Sequence, residues 1–301
     1  MSVQITTAFV EQYSSNVEFL AQQMGSRFSG KVRNESQAGK SKFYEQVGAT
    51  AAIKITSRHA DTPRVDTNHQ RRATFLNQYV WSDLVDQLDQ VELLIDPTSA
   101  YAQNAAMAFN RAKDDEIIAA ATGTAYADLG TGNGTVSAQV LPTAQKIVVN
   151  YISGGTGANS GLTLAKLVQG KSLLSAAEYP EGSKLYWAHR QRDLDNLLLN
   201  VTQVQDIRQN DVKALIAGEV NHFIGFEFVR SQRLAFASNL ATNFAWVESG
   251  LLLATGRDAR GRVSERADKN YSTQVFMDMS IGATRMQEAY VVQCITDATV
   301  A

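Results

Sequence analysis

Several stretches of this sequence bring together residue types that could do chemistry, and each implies a different reaction. Gly39-Lys40-Ser41 and Gly170-Lys171-Ser172 carry the ending of a phosphate-binding loop, whose backbone N–H groups cradle phosphates while the lysine reaches them. The full loop needs a glycine five residues before the second one, and Asn34 and Ala165 stand there instead. Neither stretch follows a clear strand, so neither predicts nucleotide binding. Leu129-Gly130-Thr131-Gly132-Asn133-Gly134 is glycine-rich like a dinucleotide loop but lacks its spacing and a following helix, and reads as a turn. His59 and His69 could ligate a metal, yet no third ligand stands at a supporting spacing, so a solvated or interface role is expected. Asp114-Asp115-Glu116 offers three carboxylates for acid–base work. Consecutive residues of a helix point in different directions, so the three cannot converge on one substrate. With 4 histidines, one cysteine and no nucleophile motif, the sequence predicts no active site, no cofactor and no bound metal.

The element that carries the three carboxylates is a long helix over 97–122. Asp96 can cap it, Pro97 suits a first helical position where no N–H is needed, and Gly123 can end it. Such a helix would be about 39 Å long. At 100° per residue Ala108, Tyr101, Ala119, Ala112, Ala105, Phe109 and Ala102 share one sector, with Asn104, Asn110, Arg111 and Asp114 largely outside it. A face so rich in alanine lets a sheet approach closely. Glu116 falls inside the apolar sector, where a carboxylate loses hydration and needs a cation, with Arg266 or Arg285 expected to supply it.

The remaining chain divides around this helix. Val10, Tyr13, Val17, Leu20 and Met24 make a narrow helical stripe ended by Gly25, followed by a polar segment, which together read as an arm. From Val47 to Val80 two strands are expected, Ala49–Ile55 and Ala73–Tyr79, with a turn near Ala60-Asp61-Thr62-Pro63. Arg58, His59, Asp61, Arg64, Asp66, Arg71 and Arg72 crowd its distal part, and an isolated hairpin is marginal in water, so it needs another copy as partner. Trp81–Ile95 reads as a short helical or mixed segment. Helices at Leu162–Ala177, Arg190–Leu199 and Asp211–Ala217 and strands at Lys184–Ala188, Gly225–Arg230 and Asn243–Thr255 suggest an α+β lobe. Tyr271, Thr273, Val275, Met277, Met279 and Ile281 alternate strictly, predicting a strand that turns near Gly282–Arg285 and returns through Ala289–Ile295 as a hairpin. A net charge of −2 argues against a dedicated nucleic-acid binder, and no apolar run reaches the roughly 18–20 residues of a membrane span. One cysteine, Cys294, excludes an intramolecular disulfide, and no signal peptide is expected.

Five phrases resemble one lineage of tailed-bacteriophage major capsid proteins of the Hong Kong 97-type fold. They are Ser57-Arg58-His59-Ala60-Asp61-Thr62-Pro63, Leu94-Ile95-Asp96-Pro97-Thr98-Ser99, Asp114-Asp115-Glu116-Ile117-Ile118, Glu265-Arg266-Ala267-Asp268-Lys269-Asn270-Tyr271 and Ser280-Ile281-Gly282-Ala283-Thr284-Arg285. The resemblance implies an α+β fold with an N-terminal arm at 1–45 and an extended hairpin (the E-loop) at 46–80. A peripheral domain at 81–142 would hold the spine helix, an axial domain would span 143–256, and closing peripheral strands would occupy 257–301. It implies a structural protein, not an enzyme, whose copies form pentamers and hexamers and close an icosahedral virion shell around double-stranded DNA. Residues 1–45 leave no room for a long scaffolding segment, so a separate scaffolding protein is expected, with a portal, a decoration protein as an optional partner and weak non-specific DNA contact. Assembly would take place in the host bacterial cytoplasm. The alternatives are an encapsulin-like nanocompartment around protein cargo and, more remotely, a soluble hydrolase or nucleotide-binding enzyme.

Overall fold

The computed structural model describes residues 22–58, 61–85, 98–128, 136–200 and 222–299. The chain order begins with strands β1 (Arg33–Ser36), β2 (Ser41–Val47), β3 (His69–Phe75) and β4 (Asn77–Val85), then helix α1 (Thr98–Thr122). Short strands β5 (Ala125–Asp128), β6 (Ser137–Gln139), β7 (Lys146–Ile147), β8 (Tyr151–Ile152) and β9 (Gly155–Thr156) lead to α2 (Leu164–Ser175). After β10 (Leu185–His189) and α3 (Gln191–Asn200) come β11 (His222–Phe223), β12 (Phe226–Arg230), β13 (Phe236–Ala237) and β14 (Leu240–Val247). The chain closes on β15 (Leu251–Arg266), β16 (Ser272–Arg285) and β17 (Val291–Asp297). The mixture of helices and largely antiparallel sheets is the α+β class the sequence predicts. Two compact units form: the described residues of Met1–Ser26, Asn77–Ala112 and Arg257–Ile281, and those of Arg27–Leu76, Lys113–Gly256 and Gly282–Ala301.

The long helix forms where expected, but its buried residues follow no single stripe. Ala105 and Phe109 are buried in its first half, and Asp114, Ile117, Ile118 and Ala121 in its second, while Ala119 is exposed and Glu116 half-buried. At 100° per residue the second group lies roughly 150° around the helix from the first, so the buried face changes midway. A projection that assumes one face over the whole length averages the two, which is why it placed Asp114 outside and Glu116 inside.

In the smaller unit β4 pairs antiparallel with β16, Asn77 opposite Ile281 and Val85 opposite Thr273. The alternation is real: Val275, Met277, Met279 and Ile281 are buried. Trp81–Val85, expected as a mixed or helical segment, belongs to β4, and the rest of that segment lies outside the described residues. The expected return hairpin does not form. β16 runs on through Arg285, and β17 joins the larger unit's seven-stranded sheet, in the order β11-β12-β10-β14-β17-β7 with β13 added to β14. Two-residue periodicity fixes which face of a strand is buried but says nothing of its partner.

The larger unit's core gathers Leu167, Leu174, Trp187, Phe226, Val247 and Val292 between α2 and that sheet. Phe28 enters beside Phe244 and Trp246, with ring centroids 5.9 and 5.8 Å away. β2 pairs antiparallel with β3, Ser41 opposite Phe75 and Val47 opposite His69, and β5 and β6 extend the sheet. The hairpin ladder therefore lies earlier than expected: Ala49–Ile55 forms no strand, and Tyr79 belongs to β4. Glycine at 282 is required, because a Cβ there would stand 1.9 Å from the carbonyl oxygen of Phe75. Of the expected helices, Asp211–Ala217 and most of the Val10–Met24 stripe fall outside the described residues, and 22–24 are not helical.

Candidate functional site

The stretches with chemical potential come apart in three dimensions. Gly39, at φ 89°, makes the turn into β2. Gly170 lies inside α2, not in a loop, and a Cβ there would come 2.7 Å from the Trp187 ring, so this glycine serves helix–sheet packing. His69 is exposed at the start of β3, and both His59 and the whole of Leu129–Gly134 lie outside the described residues. Among the described residues no group of three His, Cys, Asp or Glu side chains could hold a metal, and no helix is long and apolar enough to cross a membrane.

The three consecutive carboxylates diverge. Asp114 is fully buried and accepts from the backbone N–H of Arg27 at 3.0 and 3.1 Å and from that of Phe28 at 3.2 Å. Asp115 is exposed and accepts from Arg233 Nε at 2.6 Å. Both arginines expected beside Glu116 have partners of their own. Arg266 forks onto Asp268, both contacts at 2.7 Å, which holds that carboxyl down at about 2. Arg285 is fully buried, and its Nη1 donates to the carbonyls of Ala120, Ala121 and Gly123 at 3.2, 3.2 and 2.9 Å. A cation on the last carbonyls of a helix satisfies its unpaired acceptors and opposes its dipole. Burial pushes this guanidinium below its ordinary range.

The charged hairpin residues split into two groups. Arg58, Asp61, Arg64 and Asp66 are exposed in the non-strand residues beyond the β2–β3 ladder, which closes at Gly48 N–H to Asn68 O, 2.8 Å. Arg64 meets Asp66 at 2.9 Å, and Arg71, on β3, meets Glu45 at 3.1 Å. Arg72 departs from expectation: it is 3% exposed, donates to Glu288 Oε2 at 2.8 Å and to the Met286 carbonyl at 3.2 Å, and is part of the subunit's own interior. Adjacent strand residues face opposite sides, and at this point of β3 the side of Arg71 is open while that of Arg72 is covered. Val47, Ile53, Ile55 and Val65 of the same segment are 43–64% exposed. The arrangement offers an exposed surface of mixed apolar and charged side chains, suited to contact.

Comparison with known proteins follows the same line. A family model described as phage capsid protein matches residues 5–296. No curated protein matches the chain. Among solved structures, the capsid of cyanophage P-SCSP1u is similar at TM-score 0.71 and 16% identity, covering 97% of this chain and 94% of that one. The capsid of Ralstonia phage GP4 gives TM-score 0.70 at 10% identity over 96% and 95% of the two chains. The acid-stable capsid of Helicobacter pylori bacteriophage KHP30 gives 0.71 at 9% identity over 99% and 98%. At such identities these neighbours show a shared fold.

Proposed function

The chain belongs to the phage capsid protein family and is a major capsid protein of the phage head shell, and from that premise we propose that its copies associate as pentamers and hexamers into an icosahedral shell around packaged double-stranded DNA. The observation that carries this reading is the family match over residues 5–296, with the exposed apolar side chains of the 48–58 and 61–68 segment beside it. Those side chains are left about half uncovered by their own subunit, and a neighbour could cover the rest. Arg58, Asp61, Arg64, Asp66 and Arg71 would then meet a second copy, with His59 between them in sequence. A surface pair is worth only about 0–1 kcal/mol, so each contact is weak and the shell holds by repetition.

In this reading residues 1–45 act as an arm, 46–80 as the extended hairpin, 81–142 and 257–301 as the peripheral domain, and 143–256 as the axial domain. A separate scaffolding protein guides assembly in the host cytoplasm, a portal occupies one vertex, and a decoration protein is an optional addition. With a net charge of −2, contact with the packaged DNA is weak and non-specific. The shell is structural and performs no catalysis. The test is co-expression with the scaffolding partner, followed by size exclusion, negative-stain microscopy and measurement of enclosed nucleic acid. Closed shells containing DNA after packaging are expected. A compact monomer under every condition would defeat the reading, and shells holding only protein cargo would favour a nanocompartment.

A further inference from the structure

From Ile147 to Ala165 no residue is charged, in a chain in which 19% of residues are. Within that stretch β8 and β9 form a small hairpin, Tyr151 opposite Thr156 and Ile152 opposite Gly155, turned at Gly154 with φ 89°. Every residue from Ile152 to Asn159 is exposed, and Ile152 and Val148 are 46% and 44% exposed. A ladder of two residue pairs cannot hold itself in water. Its base holds it instead. Gly157 N–H donates to Asn150 O at 2.8 Å and Ser160 N–H to Val149 O at 3.1 Å. Between the two legs stands Lys166 of α2, 0% exposed, whose ammonium donates to the carbonyls of Val149 and Ser160 at 2.8 Å, Gly161 at 3.0 Å and Ile295 of β17 at 3.2 Å. Three N–H donors thus serve four carbonyls from both legs of the hairpin and from the sheet beneath.

Burying an ammonium is expensive unless strong acceptors replace its water, and a surface loop would need no such clasp. A core role for Lys166 accounts for the legs but leaves the tip unexplained: a rigid support carries apolar side chains out into water. We infer that the 148–159 hairpin, held at its base by Lys166, is a preformed contact finger that packs against a second copy of this chain. The occupant follows from the charge pattern. An uncharged finger has no attraction for DNA phosphates or for a strongly charged partner, whereas identical uncharged surfaces meet without repulsion. The inference rests on the reading above that copies associate into a shell. The clasp also lowers the entropy lost on docking, since the finger is already ordered.

A photo-crosslinking amino acid at position 152, irradiated in assembled shells and mapped by mass spectrometry, tests it. The expected product joins residue 152 to another copy, is absent from unassembled protein, and falls at least fivefold when Lys166→Met is added. Alongside it, Ile152→Glu should leave subunit melting unchanged and reduce shell yield at least tenfold. Crosslinks to a scaffolding or decoration protein, crosslinks only within one chain, or wild-type shell yield for Ile152→Glu would each overturn the inference. Undiminished crosslinking in Lys166→Met would overturn the clasp. If the unmodified protein never forms shells, the broader reading fails instead, so the two failures are distinguishable.

Discussion

Replacing Asp114 should cost far more than replacing its neighbour Glu116, although both are acids on one helix two residues apart. Asp114 is fully buried and receives two backbone N–H groups, those of Arg27 and Phe28, while Glu116 is half-buried. Hydrogen bonds to a charged acceptor are worth about 1.5–3 kcal/mol each, giving about 3–6 for the pair. The Arg27 N–H is only partly buried and can recover water in the variant, so the lower half of that range, about 3–4 kcal/mol, is expected for Asp114→Ala. For a chain of 301 residues each kcal/mol moves the midpoint by about 2 °C, hence a fall of roughly 6–8 °C. Glu116 is only half-buried and keeps part of its hydration, so Glu116→Ala should cost less, about 1 kcal/mol. Thermal unfolding of unassembled subunits by circular dichroism measures both, and amide exchange should show the Arg27 and Phe28 N–H groups losing protection only in Asp114→Ala. Equal shifts in the two variants, or an Asp114→Ala loss under about 1 kcal/mol, would refute the assignment of Asp114 as the anchor of the 27–28 segment.

Arg71→Ala should be nearly silent, within about 0.5 kcal/mol, since its pair with Glu45 is exposed; Arg72→Ala should lose about 2–3 kcal/mol, less than a wholly buried pair because Glu288 keeps 26% exposure, and denaturant titration of the subunit separates them. Cys294 is buried and its thiol is pushed up to about 12, so a maleimide or disulfide reagent should label it only after denaturation. Gly170→Ala should destabilise despite the better helix propensity of alanine, because overpacking against Trp187 costs about 1–3 kcal/mol against a gain of about 1, and its melting point should fall. Burial also holds His189 below its ordinary value, against its hydrogen bond to the Arg190 carbonyl, with Asp193, Arg230 and Asp195 nearby. The unfolded histidine takes a proton near pH 6.5 while the folded one resists, so stability should fall as pH drops below about 6.5. Melting curves across that range should be flatter for His189→Gln.

The parts of this fold legible in the sequence are those set by local pattern. Helix α1, the alternating strand through Val275–Ile281 and the mixed second lobe each announce themselves by spacing alone. What spacing does not contain is the identity of the partner element. The β17 strand was visible, yet its pairing with β14 instead of β16 depends on contacts some fifty residues away in the chain. The long β15 strand was visible only to Thr255, because its remainder, Gly256–Arg266, is exposed and rich in arginine, with no apolar face to read. Asp114 and Lys166 were hidden for a related reason: a charged residue reads as surface unless the carbonyls or amides that receive it are known, and these come from distant segments; Arg285 was expected against the long helix, but its acceptors there are the carbonyls of the helix's last turn.

A subunit that must build a shell has to keep two sets of interactions separate, and this chain divides them by residue type. Among the described residues Asp114, Lys166 and Arg285 are fully buried, and each is held by backbone groups. Backbone partners cannot be drawn away to a neighbouring subunit, since exchanging them would unfold the segment that carries them. The exposed pairs, Arg64 with Asp66 and Arg71 with Glu45, are side chain to side chain and lie in the hairpin segment. Such pairs exchange at a cost of about 0–1 kcal/mol, so a neighbour can re-pair them without touching the fold. The prediction that follows is a double dissociation. Raising salt should weaken assembly, because exposed pairs are screened within a Debye length of about 8–10 Å, while subunit melting changes little because the buried anchors are shielded from ions. If subunit melting and shell stability instead fall together with salt, the division of labour is wrong.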